Sequence, residues 1–165
     1  MGESWRDQLM KPGYDLKKES DIFSIAHRKI AEKWNIIQVA LGLVTTVLSA
    51  FAGATIIIKS TNFHFIAGII ALFVTVSSAI NTYLKPGELK ANHETAHKWY
   101  SALSSDIQYY YEIECNRRFN SVQEAQDELG KILQNLVNRM SQLKKDSPML
   151  PSSAVKYARE HSDNS

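Results

Sequence analysis

The chain has 165 residues, in which 19 Lys and Arg residues stand against 17 Asp and Glu residues for a formal net charge of +2. This length allows one modest domain. The balanced charge, without a basic block that contains interleaved aromatic residues, argues against direct nucleic-acid binding. The single cysteine, Cys115, excludes an intrachain disulfide framework, and its lack of a local partner predicts an inert structural thiol.

The first helix is predicted over residues 20–34, after an N-terminal segment of residues 1–19. Pro12 and Gly13 are expected to break the chain in that segment, and Ser20 can cap the helix that follows. Apolar residues recur at helical spacing on one face of this helix: Ile22, Ile25, Ala26, Ile30 and Trp34. Such an amphipathic helix lies on a membrane surface or packs on other helices, and its alternating charges favour packing.

Two long uncharged stretches follow, residues 34–58 and 60–84, with Lys59 between them. Each exceeds the roughly 20 residues that a helix needs to cross a hydrocarbon core of about 30 Å. The alternative, a pair of buried core helices in a soluble bundle, requires more amphipathic partners than the remaining sequence provides. We therefore predict transmembrane helices over 35–58 and 62–84, joined as a tight antiparallel hairpin by the short connection "KSTNFH".

The basic residues are distributed unevenly around this hairpin. Seven lie in residues 1–34, eleven follow Leu84, and Lys59 lies in the connection, which accounts for all 19. Because loops rich in Lys and Arg stay in the cytoplasm, both termini are predicted to be cytoplasmic and the short loop external.

Helical periodicity resumes after the sequence "KPGE", in which Pro86 and Gly87 predict a break. The helix that follows, as far as about Arg118, carries an apolar stripe of Leu89, Ala96, Trp99, Leu103, Ile107 and Tyr110. Another helix starts at a predicted capping box of Ser121 and Glu124. Its apolar face contains Val122, Ala125, Leu129, Ile132, Leu133, Leu136, Met140 and Leu143.

Residues 88–143 are thus predicted to form two antiparallel cytoplasmic helices that pack against each other as in a short coiled coil. Residues 144–165 are expected to be a linker and a C-terminal tail, in which the last residues form a short helix or remain a tail. The predicted fold class is all-α: a membrane protein with a two-helix transmembrane hairpin and a cytoplasmic amphipathic helical bundle.

The stretch "HETAH" matches the H-E-x-x-H pattern, in which two histidines one helical turn apart bind zinc and a glutamate activates the bound water. His93, Glu94 and His97 supply these groups, but a catalytic zinc site needs a third protein ligand. Only His27 could approach, since the other histidines are predicted across the bilayer or in the tail. We therefore interpret "HETAH" as a polar helical face and expect no catalytic residue, metal or cofactor.

Each predicted span also carries a stripe of small or polar residues at alternating intervals of three and four. The first stripe contains Asn35, Gln38, Gly42, Thr45, Ser49 and Ala52, and the second contains Gly68, Ala71, Thr75, Ser78 and Thr82. Small residues let helices approach closely in lipid, and hydroxyl groups can bond across the contact or to their own backbone. Two interpretations stay open: the hairpin packs through these stripes on itself or a neighbour, or several hairpins assemble and one stripe lines a polar passage.

The hairpin, the helix before it and the continuation "LKPGELKANHETAHKWYSALSSDIQYY" resemble the SLATT domain over about residues 20–143. The positions that carry the resemblance include Pro86, His97, Tyr100 and Leu103, which it assigns to juxtamembrane helix packing. SLATT proteins are two-transmembrane effectors associated with prokaryotic nucleotide-signalling and defence systems. The resemblance implies a homo-oligomeric pore in the cell inner membrane and a separate sensor of phage, such as a nucleotide-signal synthase or a reverse transcriptase.

The expected function is therefore that of a membrane-embedded effector, without enzymatic chemistry, that forms a pore or disrupts the inner membrane in antiviral defence. One alternative is a structural scaffold or anchor that holds a partner at the bilayer without conduction. The other, a membrane zinc peptidase acting through "HETAH", lacks a third ligand in the sequence.

Overall fold

The computed structural model describes residues 5–57 and 61–162, with the side chains of residues 52, 54–57 and 61–64 outside the description. The helices are α1 (Trp5–Ile57), α2 (Thr61–Leu84), α3 (Pro86–Glu112), α4 (Val122–Asp146) and α5 (Ser152–Ser162), with a short 3₁₀ helix at Glu114–Asn116. No strand occurs within the described ranges, which confirms the all-α prediction. Lys59 and Ser60 of the predicted connection lie outside the described residues.

The chain divides into two compact units. The bundle unit comprises Met1–Ile30 and Asn92–Ser165, and the hairpin unit comprises Ala31–Ala91. Helices α1 and α3 each contribute one part to the bundle unit and another to the hairpin unit. Two helices of the described chain are long and apolar enough to cross a membrane, and no residue of their apolar segments is buried.

Helix α1 begins at Trp5 and continues through Pro12 and Gly13, so the predicted break within residues 1–19 is wrong. A proline inside a helix removes one backbone hydrogen bond, but tertiary packing can offset that loss. Four side chains around it pack against the bundle core: Trp5, Leu9, Met10 and Leu16. A Cβ atom at Gly13 would lie 3.1 Å from Cε1 of Tyr110, so this glycine allows α1 to approach the tyrosine ring closely.

Replacing Gly13 by Val is expected to destabilise the protein by about 1–3 kcal/mol, because the added methyl groups would overlap the Tyr110 ring. The matched control is Gly130→Ala on α4, where no other atom lies within 4 Å of an added Cβ. Helix propensity should make that control neutral or more stable by up to about 1 kcal/mol. Thermal unfolding of the detergent-solubilised protein measures both, and an unchanged midpoint for Gly13→Val would contradict the close approach.

Helices α3 and α4 supply the apolar core of the bundle unit. Five buried apolar residues of α3 recur at alternating intervals of four and three: Ala96, Tyr100, Leu103, Ile107 and Tyr110. The predicted stripe is wrong at Trp99, which is 47% exposed, and Tyr100 beside it is buried instead. On α4 the predicted face is confirmed at Ala125, Leu129, Leu136 and Met140, whereas Val122 at its start is exposed.

The predicted serine cap sets the start of α4. Oγ of Ser121 accepts a hydrogen bond from the backbone N–H of Glu124 at 3.1 Å. The Glu124 carboxylate accepts a hydrogen bond from the backbone N–H of Asn120, the residue before the cap, at 3.1 Å. The first bond satisfies one of the backbone donors that the first turn of a helix leaves without a helical partner, and the second anchors the residue before the cap.

Residues Ser152–Ser162 form helix α5, which is the first of the two alternatives, a short helix or a tail, given for the end of the chain. Ala154 and Ala158 are buried against Ala26 of α1, and alanine side chains let two helices approach closely. Partly buried apolar residues surround this contact: Ile22, Ile25, Ile30 and Leu150. The amphipathic face predicted for residues 20–34 therefore packs on other helices, which is one of its two alternatives.

In the hairpin unit, α1 and α2 run antiparallel, because Gln38 near the start of the apolar part of α1 lies beside Gly87, which follows α2. Half-buried positions recur along both helices: Ile37, Leu41, Thr45 and Leu48 on α1, and Ala67, Ile70, Val74 and Ser77 on α2. We call these positions the packing line of the hairpin. Helix α2 ends at Leu84, Lys85 has a φ of 43°, and α3 begins at Pro86, so the predicted break is confirmed.

Candidate functional site

The small and polar stripe of α2 lies beside the packing line and not on it. All five of its residues are exposed in the single hairpin: Gly68, Ala71, Thr75, Ser78 and Thr82. On α1, Gln38, Gly42 and Ser49 are also exposed, and Thr45 is half-buried on the packing line. Among the described side chains, the half-buried members of the two stripes are therefore Asn35 and Thr45 of α1, and the packing of the hairpin on itself does not use the stripe of α2.

The threonine hydroxyls of the stripes bond to their own helices. Oγ1 of Thr45 donates to the carbonyl of Leu41 at 2.8 Å, and Oγ1 of Thr75 donates to the carbonyl of Ala71 at 2.8 Å. Thr82 makes the same bond within α2 at 2.9 Å. These donors are satisfied without a partner in lipid, and each oxygen keeps acceptor capacity for a neighbouring helix or for water.

A second polar feature lies between α1 and α3 in the bundle unit, and we call it the polar seam. Oγ of Ser20 donates to the carbonyl of Tyr100 at 2.8 Å, and Oγ of Ser24 lies 2.8 Å from Nδ1 of His97. Five buried polar residues of the described chain lie along this seam: Ser20, Ser24, His27, His93 and Ser104. Because a buried polar group is costly unless it is bonded, these contacts define the register of α1 against α3.

The centre of the polar seam is a pair of buried imidazoles. Nδ1 of His27 lies 2.9 Å from Nδ1 of His93, so one ring donates the hydrogen bond and the other accepts it. Tyr100 stacks on the His27 ring with centroids 5.5 Å apart. Burial lowers the pKa of His27 to about 4, with smaller contributions from His93 and His97, and burial also lowers the pKa of His93. Both rings are therefore neutral at physiological pH.

The residues of "HETAH" are distributed over different environments. His93 is buried against His27, His97 is half-buried against Ser24, and Glu94 is exposed. No three His, Cys, Asp or Glu side chains of the described residues come together as a metal-binding group. The approach of His27 to His93 matches what the sequence allowed, whereas Ser20 and Ser24 were missed as seam residues. Their spacing of four on the apolar side of α1 was the available signal.

The residues that the family resemblance assigns to helix packing are located as follows. Pro86, Tyr100 and Leu103 are buried, and His97 is half-buried in the polar seam. Cys115 is also buried, and burial raises the pKa of its thiol, which disfavours the reactive thiolate.

We expect the purified protein to carry no stoichiometric zinc, because the described residues offer no third ligand beside the His27–His93 pair. Elemental analysis of the detergent-solubilised protein and of His93→Ala, Glu94→Gln and His97→Ala variants tests this expectation. Zinc at one equivalent in the parent that disappears in the two histidine variants would instead assign a metal site to "HETAH".

Comparison of the chain with models of protein families, with curated proteins and with solved structures finds no significant match. The features that bear on function are therefore those of the chain itself: the exposed stripe of α2 and the polar seam.

Proposed function

We propose that this protein is a membrane-embedded effector whose hairpins assemble and permeabilise the inner membrane in an antiviral defence system. The observation that carries this proposal is the exposed stripe of α2. The hairpin uses other positions for its own packing, so Gly68, Ala71, Thr75, Ser78 and Thr82 are available to further copies. Two helices cannot enclose a passage, so permeation requires a homo-oligomer.

The two exposed faces of α2 differ in chemistry. Large apolar side chains are exposed on one face, among them Ile69, Phe73, Val76 and Ile80, and they suit contact with lipid chains. The stripe on the other face has small side chains and hydroxyl oxygens, which suit close helix contacts or a water-filled passage. This asymmetry favours assembly through the stripe over a hairpin that is surrounded by lipid on all sides.

The bundle unit is the part of the protein on which an activating signal from a separate sensor would act. We infer from the positive-inside rule that both termini and this bundle are cytoplasmic. The resemblance to SLATT proteins adds a separate sensor, such as a nucleotide-signal synthase or a reverse transcriptase, as the source of the trigger. The exposed ion pairs of the bundle, such as Arg139 with Asp106 at 2.7 Å, contribute little stability, and a rearrangement would break them at low cost.

The test of the proposed function is expression of the protein with the genes that flank it, followed by phage challenge. Potassium efflux and entry of a membrane-impermeant dye are expected after infection, and cells that lack this protein should show neither. Intact membranes in challenged cells, with the protein abundant in the membrane fraction, would contradict the proposal. That outcome would favour a structural scaffold that holds a partner at the bilayer.

The predicted orientation has its own measurement. Reporter domains fused at Met1 and at Ser165 are expected to give cytoplasmic signals, because 18 of the 19 basic residues lie outside the connection between the spans. A periplasmic signal from either fusion would reverse the orientation and remove the cytoplasmic trigger. Fusions to a protein of known topology calibrate both reporters.

A further inference from the structure

A cavity of about 460 Å³ lies in the bundle unit between α1, α3 and the end of α4. Its walls include Phe23 and His27 from α1 and Tyr100 from α3, which stack on one another. Lys144 and Lys145 from the last turn of α4 also line the cavity, with the Lys144 ammonium 5.4 Å from the centroid of the Phe23 ring, and Ser147 follows them. This volume falls in the range of small-molecule sites, which combine an apolar wall with a few convergent polar groups.

The hydroxyl group of Ser147 in this wall has no hydrogen-bond partner at normal distance and angle among the described residues. Oγ of Ser147 is buried and forms no hydrogen bond of normal geometry, although the side chain of Tyr100 is its neighbour. A buried polar group without a hydrogen bond costs about 1–3 kcal/mol. An acceptor oxygen that enters the cavity would relieve this cost.

The charge of the cavity is positive. Lys144 is paired with Glu19 at 2.7 Å, whereas exposed Lys145 has no carboxylate partner among the described residues. Lysines in the last turn of a helix already interact favourably with the helix dipole, so their charge alone assigns no ligand. Together with the buried hydroxyl of Ser147 and the aromatic wall, however, the two lysines form a site with one subsite for an anionic group and another for an apolar group.

We propose that this cavity binds a small organic anion that has one phosphate or carboxylate group and a planar or apolar body. The acidic group lies between the ammonium group of Lys145 and the hydroxyl of Ser147. The body lies against the wall formed by Phe23 and Tyr100. Because His27 is neutral at physiological pH, it contributes ring surface to this wall and no charge. The proposal does not depend on whether the hairpin conducts.

Phenyl phosphate is the probe, titrated into the detergent-solubilised full chain by calorimetry. We expect saturable binding that weakens about tenfold or more in Lys145→Gln and in Ser147→Ala, since each loses a charge-assisted or buried hydrogen bond. The matched control is Lys131→Gln, an exposed lysine on the same helix that does not line the cavity. Thermal unfolding without probe establishes that each variant is folded.

Three outcomes would overturn the proposal: no saturable binding, equal affinity in Lys145→Gln and parent, or equal affinity for inorganic phosphate and phenyl phosphate. The last outcome would mean that the aromatic wall contributes nothing. Phenol and benzoate, titrated in parallel, separate the need for charge from the need for phosphate. If phenyl phosphate binds but challenged cells do not leak dye or potassium, the site is supported and the proposed function is contradicted. If the cells leak but phenyl phosphate does not bind, the proposed function is supported and the site is contradicted.

Discussion

Lowering the pH from neutrality to about 4 is expected to remove on the order of 3 kcal/mol of stability from the protein. The pKa of His27 is lowered from 6.5 to about 4, first by burial and then by His93 and His97. An unfolded chain binds the proton near pH 6.5, whereas the folded chain resists it until about pH 4. This stability is fully present above pH 6.5, is lost progressively as the pH falls from 6.5 and is gone once the pH has fallen through about 4.

Basic side chains lie on more than one side of His27. His93 and His97 on α3 contribute unfavourable charge interactions, and Lys144 and Lys145 at the end of α4 line the same cavity. Thermal unfolding of the solubilised protein, followed by tryptophan fluorescence between about pH 8 and about pH 4, measures the effect. His161→Gln, at an exposed position of α5, is the control, and this variant should remain acid-sensitive because it leaves the His27–His93 pair in place.

The imidazole pair also predicts a specific pattern among variants. His27→Leu is expected to cost about 1–3 kcal/mol at neutral pH, because it leaves a ring nitrogen of His93 buried without its partner. The double variant His27→Leu, His93→Leu removes both polar partners, so it should recover much of the loss and become less sensitive to acid. A double variant that keeps the acid sensitivity of the parent would show that another group senses the proton.

Replacing Thr75 and Ser78 together by Leu is expected to abolish membrane permeabilisation, while insertion into the membrane remains normal. The change fills the exposed stripe of α2 with bulk, and it removes the oxygens that would face a neighbour or a passage. Ser49→Leu on α1 should act in the same direction. Dye entry and potassium efflux in infected cells are expected to fall about tenfold or more, with the amount of membrane-inserted protein measured in parallel.

The matched control for the stripe is Thr46→Leu on α1. Thr46 is exposed, and its hydroxyl donates to the carbonyl of Gly42 at 2.8 Å, as the stripe threonines do within their helices. It lies outside the stripe, so its loss should leave permeabilisation intact. If the Thr75 and Ser78 variant permeabilises cells as the parent does, the stripe does not line the passage.

Local signals in the sequence identified several elements correctly. The cap at Ser121 and the break between Leu84 and Pro86 depend on residues within a few positions, and both are found in the structure. The apolar face of α4 was also predicted well, because charged and amide residues mark its exposed side clearly. The polar seam was predicted only in part, since His27 was named as the one histidine that could approach, but its serines were not.

By itself, the sequence determined the all-helical class, the two long apolar segments and the ends of helices next to Leu84 and Ser121, because hydropathy and capping are local properties. Only the tertiary structure decided that Pro12 lies inside a helix and that Tyr100, not Trp99, faces the core. Adjacent positions on a helix differ by about 100°, so periodicity alone cannot decide between them. The pairing of His27 with His93 joins residues 66 positions apart, and the exposure of the α2 stripe depends on which face of α2 packs against its neighbour. Both follow from how helices pack against one another, which no local pattern contains.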